Sequence, residues 1–185
     1  MAGKWEQLRE RLEVKEANAR KQAKPTDATL DKFERDYELP LPGDYRTFVK
    51  VFGPGELAGV VRIYAPVGKK KPGDSSTFVD GFREGIDFLS DVFGDPKIIG
   101  RAVPFANTIF GDMIVWDPAK KTDEGSHEYE ILLLSKERSK IVKLAPNFDT
   151  FINKRCLSSE FGKYLDDPEY RPDNTFVEFA ALGPK

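Results

Sequence analysis

Met113-Ile114-Val115-Trp116, then Glu128-Tyr129-Glu130-Ile131-Leu132-Leu133-Leu134-Ser135, then Lys140-Ile141-Val142-Lys143-Leu144: these three stretches follow one another along the chain, and their reading decides the fold. Each is dominated by β-branched, aromatic or continuous apolar residues, the signature of strands. The turn signal Gly111-Asp112 starts the first. The polar loop Asp117–His127 joins the first to the second, which fits an antiparallel hairpin. Behind the third, Pro146-Asn147 opens a helix that carries Phe148, Phe151 and Ile152 on one face.

Upstream the period changes from two to that of helices. Residues 4–24 hold no Gly or Pro, and Trp5, Leu8 and Leu12 fall at i, i+3 and i+7. This predicts a long charged helix whose first half docks and whose basic second half is solvated. Pro25 breaks it. Thr26-Asp27 offers an N-cap for a second helix with Leu30 and Phe33, ending near Tyr37. Leu39-Pro40-Leu41-Pro42-Gly43-Asp44 is held extended by its prolines, with Pro42 placed to begin the next helix. That helix buries Tyr45, Phe48, Val49 and Phe52, and Gly53-Pro54-Gly55 stops it. Val60, Val61, Ile63 and Tyr64 predict a strand, and Lys69-Lys70-Lys71-Pro72-Gly73-Asp74 a basic loop. Residues 77–93 predict one amphipathic helix with Phe78, Phe82, Phe88, Leu89, Val92 and Phe93 apolar. Gly81 and Gly85 weaken it by roughly 1 kcal/mol each relative to Ala. Ile98, Ile99 and Val103 suggest a short strand. The tail from Asp166 reads as irregular, with one extended piece at Thr175–Phe179.

Helices, then a run of strands, then helix again specify an α+β fold: a single domain with a mostly antiparallel sheet packed against several helices. The expected division is an N-terminal charged helix (1–25), an α+β domain (26–160) and an irregular C-terminal tail (161–185).

The chain of 185 residues suits one domain and needs no disulfide or metal staple. Fourteen phenylalanines promise an aromatic core. Charged residues make up 32% yet sum to only −2, which argues against a dedicated nucleic-acid binder. The single cysteine, Cys156, excludes an intrachain disulfide and fits a reducing compartment. The N-terminus lacks a signal-peptide core, and no segment has the apolar length of a membrane helix. The expectation is a cytoplasmic protein, a monomer or weak dimer, without membrane contact.

A catalytic constellation is missing. His127 is the sole histidine and lies in a polar loop, where solvation is the ordinary fate. Cys156 follows Lys154-Arg155, which would activate an exposed thiol, but a buried structural cysteine is the commoner case. Metal-ligand spacings and nucleotide-binding glycine loops are absent, so no cofactor is expected. Gly53-Pro54-Gly55 follows a helix instead of opening one, so it cannot cradle an anion. Asp166-Asp167 reads as acidic surface before a turn. The distributed pattern Asp80, Glu84, Asp87, Asp91 and Asp95 is more informative, being opposed within that span only by Arg83. Like charges at i, i+4 weaken a helix, so the pattern does not serve helix stability. It is either a solvated outer face or a negative patch that attracts a basic partner.

Three stretches together resemble the SUKH superfamily, the Smi/Knr-like proteins. Leu39-Pro40-Leu41-Pro42-Gly43-Asp44-Tyr45-Arg46-Thr47-Phe48, followed by Phe52-Gly53, is similar to the family's opening Leu-Pro and aromatic helix. Val103-Pro104-Phe105-Ala106, Gly111-Asp112 and Trp116-Asp117-Pro118 resemble its central segment. Ala145-Pro146-Asn147-Phe148-Asp149-Thr150-Phe151 resembles its last helix. The chain departs at Ile109-Phe110, where the family often has further Gly or Asn. The motif residues Leu41, Pro42, Tyr45, Phe48, Gly53, Pro104, Phe105, Gly111, Asp112, Trp116 and Asp117 also read as architecture. Gly111 is expected to adopt positive φ, and Asp112 to bond nearby backbone N–H groups. The resemblance implies a non-catalytic protein-binding domain. Many bacterial members are immunity proteins that neutralise polymorphic toxins, often nucleases, by direct contact. That points to a toxin domain as the partner and to the acidic positions as its contact. A regulatory or scaffold protein, and a carboxylate-dependent hydrolase, are the alternatives.

Overall fold

The computed structural model describes residues 3–16, 24–68, 73–165 and 167–179. Helix α1 covers Lys4–Arg11 and strand β1 Glu13–Lys15. The helix expected over 4–24 therefore ends early, and its part at 17–23 lies outside the described residues. Trp5, Leu8 and Leu12 are buried as their spacing predicts. Past Leu12 the apolar stripe runs out, and a helix in water needs such a stripe to persist. The chain instead pairs as a strand.

Helix α2 (Asp27–Tyr37) starts at a capping box formed by Thr26 and Thr29. Helix α3 (Gly43–Phe52) has Pro42 at its N-cap and ends on Gly53 at φ 73°. Strands β2 (Gly55–Leu57) and β3 (Val61–Ile63) form a hairpin. The sequence hid β2 because Gly55 reads only as a stop. The Phe176 ring packs where a Cβ would stand, so only glycine admits that ring against the strand.

The helix expected over 77–93 is two helices, α4 (Ser75–Glu84) and α5 (Ile86–Phe93), divided at Gly85. Ile98 and Ile99 belong to a short helix α6 (Pro96–Ile99), not to a strand. Asp95 caps it, accepting from the Ile98 N–H at 3.0 Å, and Pro96 takes the first helical position, where its missing N–H costs nothing. Four strands follow: β4 (Val103–Thr108), β5 (Met113–Asp123), β6 (Glu128–Ser135) and β7 (Lys140–Ala145). Asn147 caps α7 (Phe148–Phe151), which widens into a π turn at Ile152–Cys156. A 3-10 turn at Ser159–Phe161, helix α8 (Gly162–Leu165) and strand β8 (Thr175–Glu178) complete the order. The extended piece expected in the tail is thus a strand of the sheet.

The described strands form one sheet in the order β1-β8-β2-β3-β4-β5-β6-β7. Only β1–β8 is parallel, Val14 opposite Phe176; the other neighbours are antiparallel. The fold is α+β and a single domain, as the sequence specifies. Both faces of β5 and β6 are covered, which explains the unbroken apolar run at Ile131–Leu134. Ile114, Trp116, Ile131 and Leu133 join the main core with α1, α2, α3 and α7. Val115, Leu132 and Leu134 face the other way, against Phe82, Leu89, Phe93 and Ile99.

Candidate functional site

The motif residues sit in and around the core. Tyr45 from α3 meets Phe105 of β4, Trp116 of β5 and Phe148 of α7 edge-on, at ring distances of 6.1, 4.8 and 5.5 Å. Phe105 stacks on Trp116 at 4.3 Å. The Tyr45 hydroxyl donates to the Tyr64 carbonyl at 2.7 Å, and burial pushes its pKa up. Phe48, Phe148 and Phe151 are buried, as are Leu41, Pro42, Gly53 and Pro104. These are architectural roles, and the aromatic residues are where the sequence placed them.

The polar motif residues are structural too. Gly111 adopts φ 93°. Buried Asp112 accepts from the Lys136 N–H at 2.9 Å and from the Thr108 hydroxyl at 3.0 Å, tying two hairpin turns together. Asp117 is buried and takes a two-pronged bond from Arg101, at 2.6 and 2.8 Å. Burial alone would raise its pKa. The Arg101 guanidinium and the Ala119 N–H outweigh that and hold the carboxyl below its ordinary value.

Nor do the remaining chemical candidates assemble a reaction centre. His127 is exposed at a turn with φ 54°. Cys156 is fully buried, and burial pushes its thiol well up, away from the reactive thiolate. Asp167 accepts its own turn's Glu169 N–H at 3.0 Å; Asp166 lies outside the described residues. Glu128, which the sequence reading did not single out, is a buried carboxylate. One oxygen accepts the Asp44 N–H at 3.1 Å, the other the Phe148 N–H at 3.0 Å, so a single side chain fastens the starts of α3 and α7. Burial raises its pKa despite those bonds. No group of three or more His, Cys, Asp or Glu suited to a metal occurs among the described residues.

The five acidic positions divide among three helices. Asp80 on α4 accepts the Tyr37 hydroxyl at 2.7 Å; burial first, then this carboxylate, push that phenol up to about 12. Asp95 is the cap of α6. Glu84, Asp87 and Asp91 are exposed. On α5 Asp87 and Asp91 are one turn apart, and Phe88 stands beside them with 70% of its surface exposed. The sequence assigned Phe88 to the buried stripe. Gly85 restarts the helix, and Leu89 and Phe93 pack onto the sheet, with Ile86 and Val92 partly buried against the same cluster. Phe88 is left on the outer side with the carboxylates. Restarting the phase count at Gly85 would have found it. The basic loop at 69–72 lies outside the described residues.

Fold and site together define an α+β domain whose motif residues build the core, with exposed Phe88, Asp87 and Asp91 lying outside it. The SMI1 / KNR4 family (SUKH-1) model matches residues 24–154, and the chain belongs to this family. Among curated proteins none matches it. Strands β1 and β8 both lie outside the matched residues and extend the family sheet at one edge. No helix among the described residues is long and apolar enough to cross a membrane.

Proposed function

We propose that this protein is a non-catalytic immunity protein that binds and neutralises a cognate polymorphic toxin in the cytoplasm, with the outer face of α5 as its contact. One observation carries the reading: an aromatic side chain, Phe88, stands in solvent on the same short helix as the exposed Asp87 and Asp91. Aromatic anchors contribute disproportionately to protein interfaces, and a charged surround steers the encounter and sets its specificity. A nuclease toxin has a basic cleft for phosphate, and this face complements it in charge. SUKH-family membership favours the same role. The buried carboxylates Asp112, Asp117 and Glu128 are engaged by backbone N–H groups or by arginine, which favours a structural use over hydrolysis.

The test is affinity for the toxin domain encoded beside this protein's gene. The double variant Asp87→Lys with Asp91→Lys is expected to lose at least tenfold, mostly in association rate, and to lose protection of cells expressing the toxin. Full affinity in that variant would refute the α5 contact. Absence of any neighbouring toxin gene would move the reading to a regulatory partner.

A further inference from the structure

We propose that the chain also binds a second copy of itself, as a weak two-fold dimer in which the turn Thr108–Asp112 of one copy rests on the α5 face of the other. Among the described residues three large apolar side chains stand exposed: Phe88 at 70%, Phe110 at 57% and Ile109 at 44%. Two of them are the centre of one turn. Gly111 donates to the Thr108 carbonyl at 3.1 Å and Thr108 to the Asp112 carbonyl at 2.9 Å, closing a short hairpin with left-handed Gly111. Such central positions are normally polar, and nothing in this geometry asks for isoleucine and phenylalanine.

The turn is rigid. Asp112 bonds the Thr108 hydroxyl and the Lys136 N–H, and the Ile109 N–H donates to the Val60 carbonyl at 2.9 Å. Three turns of the sheet are thereby locked at one end, so the apolar pair is presented with little left to order on binding. Its surroundings are basic: the Lys136 side chain lies against Gly111, and Lys136 and Lys140 are exposed on the adjoining turn, against Glu137.

Charge selects the pairing. Turn against turn brings lysines together, and α5 against α5 brings carboxylates together. Only turn against α5 sets opposite charges beside apolar contact. A two-fold axis makes that contact twice. Met113, the residue after the turn, packs in the same cluster as Leu89 and Phe93 of α5, which links the base of one patch to the base of the other. Six half-exposed side chains supply on the order of 600 Å² of apolar area, less than a stable specific interface buries. The dimer is accordingly weak, and it covers the face assigned above to the toxin.

Sedimentation velocity on the purified full chain, from micromolar to millimolar concentration, tests this without any toxin. The weight-average coefficient is expected to rise towards that of a dimer at low salt and to fall back at high salt. Phe88→Ser and Phe110→Ser, checked for native circular dichroism, should each leave a monomer. So should Lys136→Glu with Lys140→Glu, and Asp87→Lys with Asp91→Lys, taken separately. Mixing these last two variants restores both opposite-charge contacts and should restore the dimer. A monomer at every concentration, species beyond a dimer, or a mixture that stays monomeric would overturn the proposal. Because the toxin is absent from every arm, the dimer can fail here while the α5 contact with the toxin still stands.

Discussion

The two faces of the sheet differ in kind. One carries the main core, where Trp5, Tyr45, Phe48, Phe105, Trp116 and Phe148 interlock ring against ring. The other carries a thinner cover, where Phe82 of α4, Leu89 and Phe93 of α5 and Ile99 of α6 pack on the sheet and Asp87, Phe88 and Asp91 of α5 stand exposed. The aromatic motif residues lie on the first face, and none of the motif residues lies on α5. The aromatic motif residues therefore report how the domain is built, and the surface proposed as the contact is laid over the opposite face. Substitutions should separate the two: stability changes on the first, binding changes on the second.

The largest effect is expected at Phe148, which meets Trp5, Tyr45, Phe48, Phe105 and Phe151. Phe148→Ala removes a fully buried ring and should cost about 3–5 kcal/mol in denaturant unfolding. Next is Glu128→Ala, which strands the buried Phe148 N–H and the Asp44 N–H at two helix starts, for about 2–4 kcal/mol. A loss below the range of an ordinary surface substitution at either position would break the contrast between the faces.

Asp117→Asn should cost less, about 1–2 kcal/mol, because Arg101 remains partly solvated. Its pH dependence is the sharper readout. The Asp117 carboxyl titrates lower in the folded than in the unfolded chain, where its ordinary value is 3.8. Its contribution is therefore present above that value and lost as pH falls through the folded value. The difference between wild type and variant should be constant near neutrality and shrink in acid. A difference that persisted unchanged through acid would mean the Arg101 pair is not its source.

What was legible in the sequence follows the same division. The core was legible because burial imposes periodicity: Tyr45, Phe48, Val49 and Phe52 repeat with the helix, and the unbroken run Ile131–Leu134 marks a strand buried on both faces. Strands β1 and β2 were not, because each is three residues long and exists only through its neighbours, Thr175–Val177 for β1 and both β3 and β8 for β2. Pairing across such separations leaves no local signal. The acidic spacing was visible, but its division among three helices was not, since that depends on Gly85 and on the Asp95 cap. Phe88 was misassigned for the same reason. Ile86, Leu89, Val92 and Phe93 turn one side of α5 to the sheet, and at about 100° per residue that phase leaves Phe88 on the outer side.

The α5 face should therefore behave oppositely. Phe88→Ser exposes nothing that was buried, so unfolding free energy should move by no more than about 0.5 kcal/mol while toxin affinity falls. Asp91→Lys sharpens this further. It replaces a like-charge pair with Asp87 by an opposite pair at i, i+4, worth about 0.2–0.5 kcal/mol, and places a cation in the last turn of a helix that has none. Thermal unfolding should show a small gain in stability, and stopped-flow mixing with the toxin domain a slower association that depends less on salt. If Asp91→Lys stabilised the protein and left association unchanged, the carboxylate would be a solvated surface charge, and the contrast between the two faces would reduce to one of packing alone.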